Sequence, residues 1–310
     1  MKKISTTLLL SVFLFGLLAG CATPAQQQTT FSITDDLGRE ISIPASVQNI
    51  ISLAPSNTEI LFAVGAGNQV IARDDFSNYP EEAVKLPSIG GAQGYNLEQI
   101  TSLQPDLVLA AEINSMEDVK ALEDLGLIVY YMKNPTDLEG LYKNLVLVGE
   151  ITGHKNEAEK LAESLKARVT LVEKAVESIT ERPKVFYELD GSDPAKPWTS
   201  GPGTYIDMLL QKAGGINTAA NLDSAWAQIS QEALIIEDPE IILLGDSIYG
   251  VRPEDVARRP GWEQINAVTS NRVYPFNDDL VSRPGPRMVE GLEELFKLIH
   301  PEAADAIKAN

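Results

Sequence analysis

Two stretches far apart in the chain repeat one grammar: LEQITSLQPDLVLAAE, beginning at Leu97, and QEALIIEDPEIILLGD, beginning at Gln231. In each, a glutamate stands seven residues before a proline and an aliphatic run follows it. Pro105 and Pro239 lack the amide that a helix interior requires, so each ends a helix. Leu107–Ala111 and Ile241–Leu244 are apolar at every position, as suits strands buried on both faces of a parallel sheet. Such units join by right-handed crossovers into α/β layers. Their recurrence predicts an α/β protein with two similar lobes, each built on a central, mostly parallel sheet.

Shorter echoes support the same division. SVQNIISLAPSNTEILFAVGAG, from Ser46, predicts a strand over Asn49–Leu53, a turn at Pro55, and a helix capped by Ser56 or Asn57 that stops near Gly65. RPKVFYEL predicts a strand over Lys184–Leu189, and GTYIDMLLQKAGG a helix ending at Gly214 and Gly215. Between the halves, Lys155 to Lys184 is rich in Ala, Leu, Glu and Lys, with no glycine and no proline before Pro183. It predicts one long connecting helix, roughly 39 Å if about 26 residues are helical. Its apolar spacing is not sustained over the heptads a coiled-coil dimer needs, so a single strut and a monomer are expected.

The chain begins like an export signal: Lys2 and Lys3, then an apolar core over Leu8–Leu18 too short for a stable span. Cys21, the only cysteine, follows Leu18, Ala19 and Gly20, which resemble a bacterial lipobox. An unlipidated cysteine near a secretory cleavage site is the alternative; lipidation is the reading adopted. Acylation there would tether the protein to the membrane without embedding it. Ala22–Thr30 is too polar to bury a core and reads as a flexible leash. The expected organisation is thus signal 1–20, lipidated tether 21–30, N-terminal lobe 31–153, connecting helix 154–181 and C-terminal lobe 182–310, with the lobes extracytoplasmic.

Charge narrows the function. The chain has 25 Lys and Arg against 44 Asp and Glu; losing Lys2 and Lys3 with the signal takes the net charge from −19 to −21. That argues against nucleic acid and against direct adhesion to anionic lipid. The two histidines, His154 and His300, stand apart from any acidic or thiol cluster, so no metal site and no resident cofactor are expected.

An export signal with a lipobox, two α/β lobes and one long connecting helix resemble the ABC-transporter solute-binding proteins for cobalamin, ferric siderophores and haem, the class III periplasmic binding proteins. The pieces that carry the resemblance are ISLAPSNTEILFAVGA, FSNYP, GAQGYNLEQITSLQPDLVLA, PWTSG, WAQISQEALIIEDPEIILL and RPGPR. It implies a receptor that captures a small-molecule metal chelate and delivers it to permease and ATPase subunits. It further implies that Glu98 and Glu232, one per lobe, pair with permease arginines. Asn96 and Ser230 are plausible N-caps that put each glutamate in a first helical turn, where the helix dipole favours a carboxylate; that dipole also explains such acids without docking.

A cleft between lobes is lined by loops at the carboxyl ends of strands. Candidates there are Arg73, Phe76, Tyr95 and Glu112 from the first half and Trp198, Tyr205, Trp226, Tyr249, Arg252 and the loop Asp279, Leu280, Val281, Ser282, Arg283 from the second. Aromatics suit a flat macrocycle. Trp262 is assigned to packing, and Tyr79 reads as structural. The cobalamin-binding members resemble the chain at Phe76 and at the acid-led loop; Ala92 and Ala111 depart from them, standing where tryptophans are expected. Alternatively Arg73, Arg252, Arg283 and Arg287 hold the carboxylates of a ferric complex, although Arg287 also suits a structural salt bridge. Two rival classes stand beside transport. LLGDSIYG is similar to the nucleophile block of GDS-type esterases, but Lys297, not an acid, stands three residues before His300. A surface adhesion or signalling role on the same fold is the other. No P-loop pattern occurs, so ATP hydrolysis belongs to a partner.

Overall fold

The computed structural model describes residues 29–91 and 93–308. The signal, Cys21, most of the tether and Ala92 lie outside the described residues.

A hairpin of β1 (Thr30–Thr34) and β2 (Glu40–Pro44) leads into the first lobe. There follow β3 (Ile50–Ser52), α1 (Pro55–Ala63), β4 (Val70–Arg73), the short α2 (Glu81–Val84), a small ladder of β5 (Gly90–Gly91) and β6 (Gly94–Tyr95), and α3 (Leu97–Ser102). Then come β7 (Leu107–Ala111), α4 (Met116–Asp124), β8 (Val129–Met132) and α5 (Leu138–Thr152). The sheet order is β4-β3-β7-β8 and every pairing is parallel. Helix α1 starts two or three residues earlier than expected, with Pro55 in its first turn and Ala54 as its cap. The fixed φ of proline suits that position, so Ser56 and Asn57 sit inside the helix and are buried instead of capping it.

The strut, α6, runs Lys155–Glu177, roughly 34 Å at 1.5 Å per residue. It is shorter than expected because Ser178 Oγ donates to the Ala175 carbonyl, offering the backbone a way out of the helix before Pro183. One stripe of α6 is buried: Ala158, Ala162, Leu165, Val169, Val172 and Ala175. Gly153, at φ 80°, makes the left-handed turn from α5 into α6. A Cβ on Gly149 would lie 2.4 Å from that of Ala158, so only glycine lets the two helices pack this closely.

The second lobe runs β9 (Lys184–Asp190), β10 (Trp198–Ser200), α7 (Tyr205–Lys212), β11 (Ile216–Asn217), β12 (Trp226–Gln228), α8 (Gln231–Glu237), β13 (Ile241–Leu244), α9 (Pro253–Val256), α10 (Asn266–Thr269), β14 (Val273–Pro275), α11 (Asp279–Ser282) and α12 (Met288–Ile299). Strands β11, β9, β13 and β14 pair in parallel. Strands β10 and β12 add an antiparallel edge that the first lobe's sheet lacks. A continuous apolar core passes from α1 and α5 through α6 into α7 and α12. The outer face of each sheet has a core of its own.

Candidate functional site

Between the lobes lies a cleft of about 720 Å³, within the range of small-molecule sites. Its walls come from the carboxyl ends of the parallel strands, as the α/β rule requires. Ala111 ends β7 and is followed by Glu112 and Ile113; Ile248 and Tyr249 lie beyond β13, and Asp278 and Asp279 beyond β14.

Phe76, Tyr205 and Trp226 are each held by a specific contact. Asp74 is buried, and its carboxylate accepts from the Phe76 amide (2.9 Å) and from Ser77 Oγ, which turns Phe76 outward at 55% exposure. Burial raises the Asp74 carboxyl above its ordinary range. Tyr205 donates to the Ser282 carbonyl (3.0 Å), and its ring meets Trp226 edge-on at 5.7 Å. Tyr249 is 84% exposed and Ile113 77%, so the two lips present uncovered apolar surface toward the same space. Asp278 accepts from Tyr187 Oη at 2.7 Å.

Of the residues expected to bind ligand, Phe76, Trp226, Tyr249, Asp279, Ser282 and Arg283 line the cleft, together with Glu112 and Tyr205. The others do not. Leu280 and Val281 point into the core, because α11 packs on α12 so closely that a Cβ on Gly291 would meet the Leu280 carbonyl at 2.6 Å. Tyr95 donates to the Leu53 carbonyl and accepts from Asn114 Nδ2 (2.6 Å), tying loops within the first lobe; burial pushes its phenol up to about 12. Trp198 sits on the antiparallel edge opposite Gln228 and is absent from the cleft wall.

The arginines required the largest correction. Arg73 donates to the carbonyls of Ala83, Asp74 and Asp75. Arg252, on the surface, pairs with Asp255. Arg283 donates to Asn78 Oδ1 (2.7 Å), reaches Glu59 at 3.4 Å and pairs with Asp279 at 2.9 Å. Arg287 holds Glu59 through two bonds of 2.9 and 2.5 Å and lies 4.1 Å over the Tyr79 ring. Glu59, whose side chain is 1% exposed, thus forms an interlobe latch with two arginines that come 224 and 228 residues later. All four arginines already have partners inside the protein.

Glu59, Asp278, Ile113 and Ile248 were missed in the sequence. A signal existed for Glu59: it is the one acid in an otherwise buried helix, and a buried carboxylate demands a cation somewhere in the fold.

Glu98 and Glu232 are both exposed, one on each lobe, in the first turns of α3 and α8. Asn96 Oδ1 accepts from the Gln99 amide and Ser230 Oγ from the Ala233 amide, so both expected caps are formed. Neither glutamate has an ion-pair partner among the described residues. Ser247 Oγ donates to the Phe276 carbonyl, while His300 is buried and directed at the Gly214 carbonyl, so the serine and histidine of an esterase reading are not brought together. Trp262 is fully buried against Phe186, as assigned.

Comparison with known proteins agrees with this architecture. The model of the periplasmic binding protein family matches residues 50–280. An uncharacterized ABC transporter substrate-binding lipoprotein of Bacillus subtilis is 34% identical over 301 residues, covering 92% of this chain and 94% of that one. The vitamin B12-binding protein of Vibrio parahaemolyticus is 31% identical over 252 residues, covering 80% and 88%. A solved structure of a possible iron-binding, periplasmic solute-binding protein of Staphylococcus epidermidis superposes with a TM-score of 0.71 at 30% identity, covering 82% of this chain and 99% of that one. With two α/β lobes, an interlobe cleft and a single strut helix in place, the chain belongs to the periplasmic binding protein family.

Proposed function

We propose that this protein is the extracytoplasmic solute-binding lipoprotein of an ABC importer, anchored through Cys21, and that its cleft takes a corrinoid. The observation that carries the ligand assignment is that, among the described residues, an aromatic cleft has no uncommitted arginine. Anionic iron chelates and the propionates of haem are held by bidentate cations, and here Arg73, Arg252, Arg283 and Arg287 are all bonded internally. A corrinoid edged with neutral amides needs apolar area and hydrogen-bond partners instead. Phe76, Trp226 and Tyr249 supply the area; Glu112, Asp278 and the Ser282 region supply acceptors. Ala111, small where the cobalamin-binding pattern expects a tryptophan, leaves Phe76 and Ile113 to form the apolar part of the first lip.

Glu98 and Glu232 serve as the docking pair, exposed and unpaired on separate lobes, where two cationic sockets of a permease would meet them. Binding, not bond-making, is the activity. The test is titration of purified protein with cyanocobalamin, haemin and a ferric catecholate siderophore, followed by absorbance and native mass spectrometry. The expected result is a one-to-one complex with cyanocobalamin alone. Tight binding of haemin or the siderophore with none of cyanocobalamin would overturn the ligand assignment.

A further inference from the structure

The cleft has a charge imbalance that its hydrogen bonds do not remove. Three carboxylates line it, Glu112, Asp278 and Asp279, against one arginine, Arg283. Asp279 and Arg283 belong to the latch with Glu59 and Arg287, two acids and two bases that cancel. Glu112 and Asp278 remain. Glu112, on the first-lobe lip, accepts from the Asn134 amide, and Asp278, at the second-lobe wall, from the Tyr187 hydroxyl; both donors are neutral. Neither acid has a cationic partner among the described residues. Tyr205 lines the same cleft, and its phenol is raised first by burial and then by the charges of Asp278 and Glu112. Burial raises the Asp278 carboxyl above its ordinary range, outweighing hydrogen bonds from Tyr187 and Ser282 and the more distant charge of Arg283.

A neutral ring in this cleft would displace water from two carboxylates and offer them only amide hydrogen bonds, whereas a ring of the same shape with positive charge also satisfies their field. We infer that the cleft reads the net charge of its ring ligand, with Glu112 and Asp278, one on each lip, favouring a cationic corrinoid over the neutral form of the same scaffold. This rests on the corrinoid assignment and adds a preference among corrinoids that the aromatic walls alone do not give. The preference acts through space, so it falls with ionic strength.

The experiment compares aquacobalamin, a cation, with cyanocobalamin and methylcobalamin, its neutral counterparts, by calorimetric titration of the intact protein at low and high salt. Aquacobalamin is expected to bind about tenfold more tightly at low salt, with the ratio shrinking as salt rises. In the double variant Glu112→Gln, Asp278→Asn the ratio should approach one; asparagine still accepts from Tyr187, so the wall is retained, and any change in amide hydrogen bonding common to all three corrinoids cancels in the ratio. The aquacobalamin visible spectrum is expected to stay that of the aqua form. Equal affinities in the unaltered protein, or a ratio that survives the double variant, overturns the inference alone. A spectrum showing replacement of the cobalt-bound water also overturns it, because coordination would then explain the preference. Failure of all three corrinoids to bind overturns the ligand assignment and the inference together.

Discussion

Replacing Glu59 by glutamine keeps the side-chain shape and removes the charge on which both interlobe arginines converge. The side chain is 1% exposed and accepts two bonds from Arg287, of 2.9 and 2.5 Å, and a longer one from Arg283 at 3.4 Å. Removing one member of a buried ion cluster costs about 3–5 kcal/mol, because the surviving charge is left without a partner. The lower end applies here. Asp279 still stands 2.9 Å from Arg283 and 4.0 Å from Arg287, Tyr79 stays under Arg287, and both arginines are 12% exposed. A loss of about 3 kcal/mol corresponds to a fall in Tm of about 6–10 °C for a chain of this size. Calorimetric and urea unfolding of Glu59→Gln, Arg287→Met and the double variant measure it. The double variant should lose clearly less than the sum of the singles, since deleting the second partner removes the orphan left by deleting the first. A Tm drop of under about 2 °C for Glu59→Gln, or strict additivity, would show that the latch contributes geometry without energy.

Three further outcomes are expected. Glu98→Arg with Glu232→Arg should abolish ligand-stimulated ATPase activity of the reconstituted importer while leaving the ligand Kd unchanged; preserved stimulation removes the docking role. Stability should rise slightly as pH falls from 7 to about 5, because burial raises the carboxyls of Asp74, Glu188, Asp246 and Asp278, so the folded state binds protons more readily than the unfolded one in that window. Asp35 runs the other way: burial pushes it up, but hydrogen bonds and charge from Arg39 more than offset that, so its contribution disappears as pH falls below about 4. Tm against pH at constant ionic strength checks both signs, and a steady decline from pH 7 to 5 contradicts the first. Finally, small-angle scattering should show the radius of gyration unchanged on ligand binding, whereas a large contraction would mean that the strut bends.

Local chemistry was legible in the sequence wherever one segment decides its own conformation. Pro105 and Pro239 end their helices, and Leu107–Ala111 and Ile241–Leu244 are strands at the expected residues, because proline geometry and unbroken apolarity need no distant partner. Asn96 and Ser230 cap as their residue types require. What failed was the assignment of charges to tasks. RPGPR looks like a ligand-facing basic motif because its partner, Glu59, lies more than 200 residues earlier, inside a helix whose sequence reads as routine. Leu280 and Val281 were misplaced for a related reason: in a helix of four residues, Asp279 and Ser282 face the cleft while the two between them turn to the core, a division that no periodicity could reveal over so short a span. The antiparallel edge of β10 and β12 also escaped, since three-residue strands carry almost no pattern.

The strut and the latch together decide where this molecule can move. Within one turn of α6, Lys166 reaches the first lobe, pairing with Glu139 and lying 4.9 Å over the Tyr142 ring, and Arg168 reaches the second, with two bonds of 2.8 and 2.7 Å to Glu293. Each lobe is thus pinned to the same short piece of helix, and a hinge motion there would have to break a contact on one side or the other. The Glu59 cluster spans the lobes a second time, and Arg283 brings it to the cleft wall. Two crossings, one covalent and one electrostatic, resist rotation about more axes than either would alone. The exposed apolar groups at Ile113, Ile248 and Tyr249 are free of both, at the ends of strands where loops have few contacts to lose. Ligand is therefore expected to act on the lips instead of the lobes, leaving the distance between Glu98 and Glu232 set by the scaffold. If Glu98 and Glu232 dock as proposed, a permease would sense occupancy through the order of the lips, with the two carboxylates as a fixed gauge.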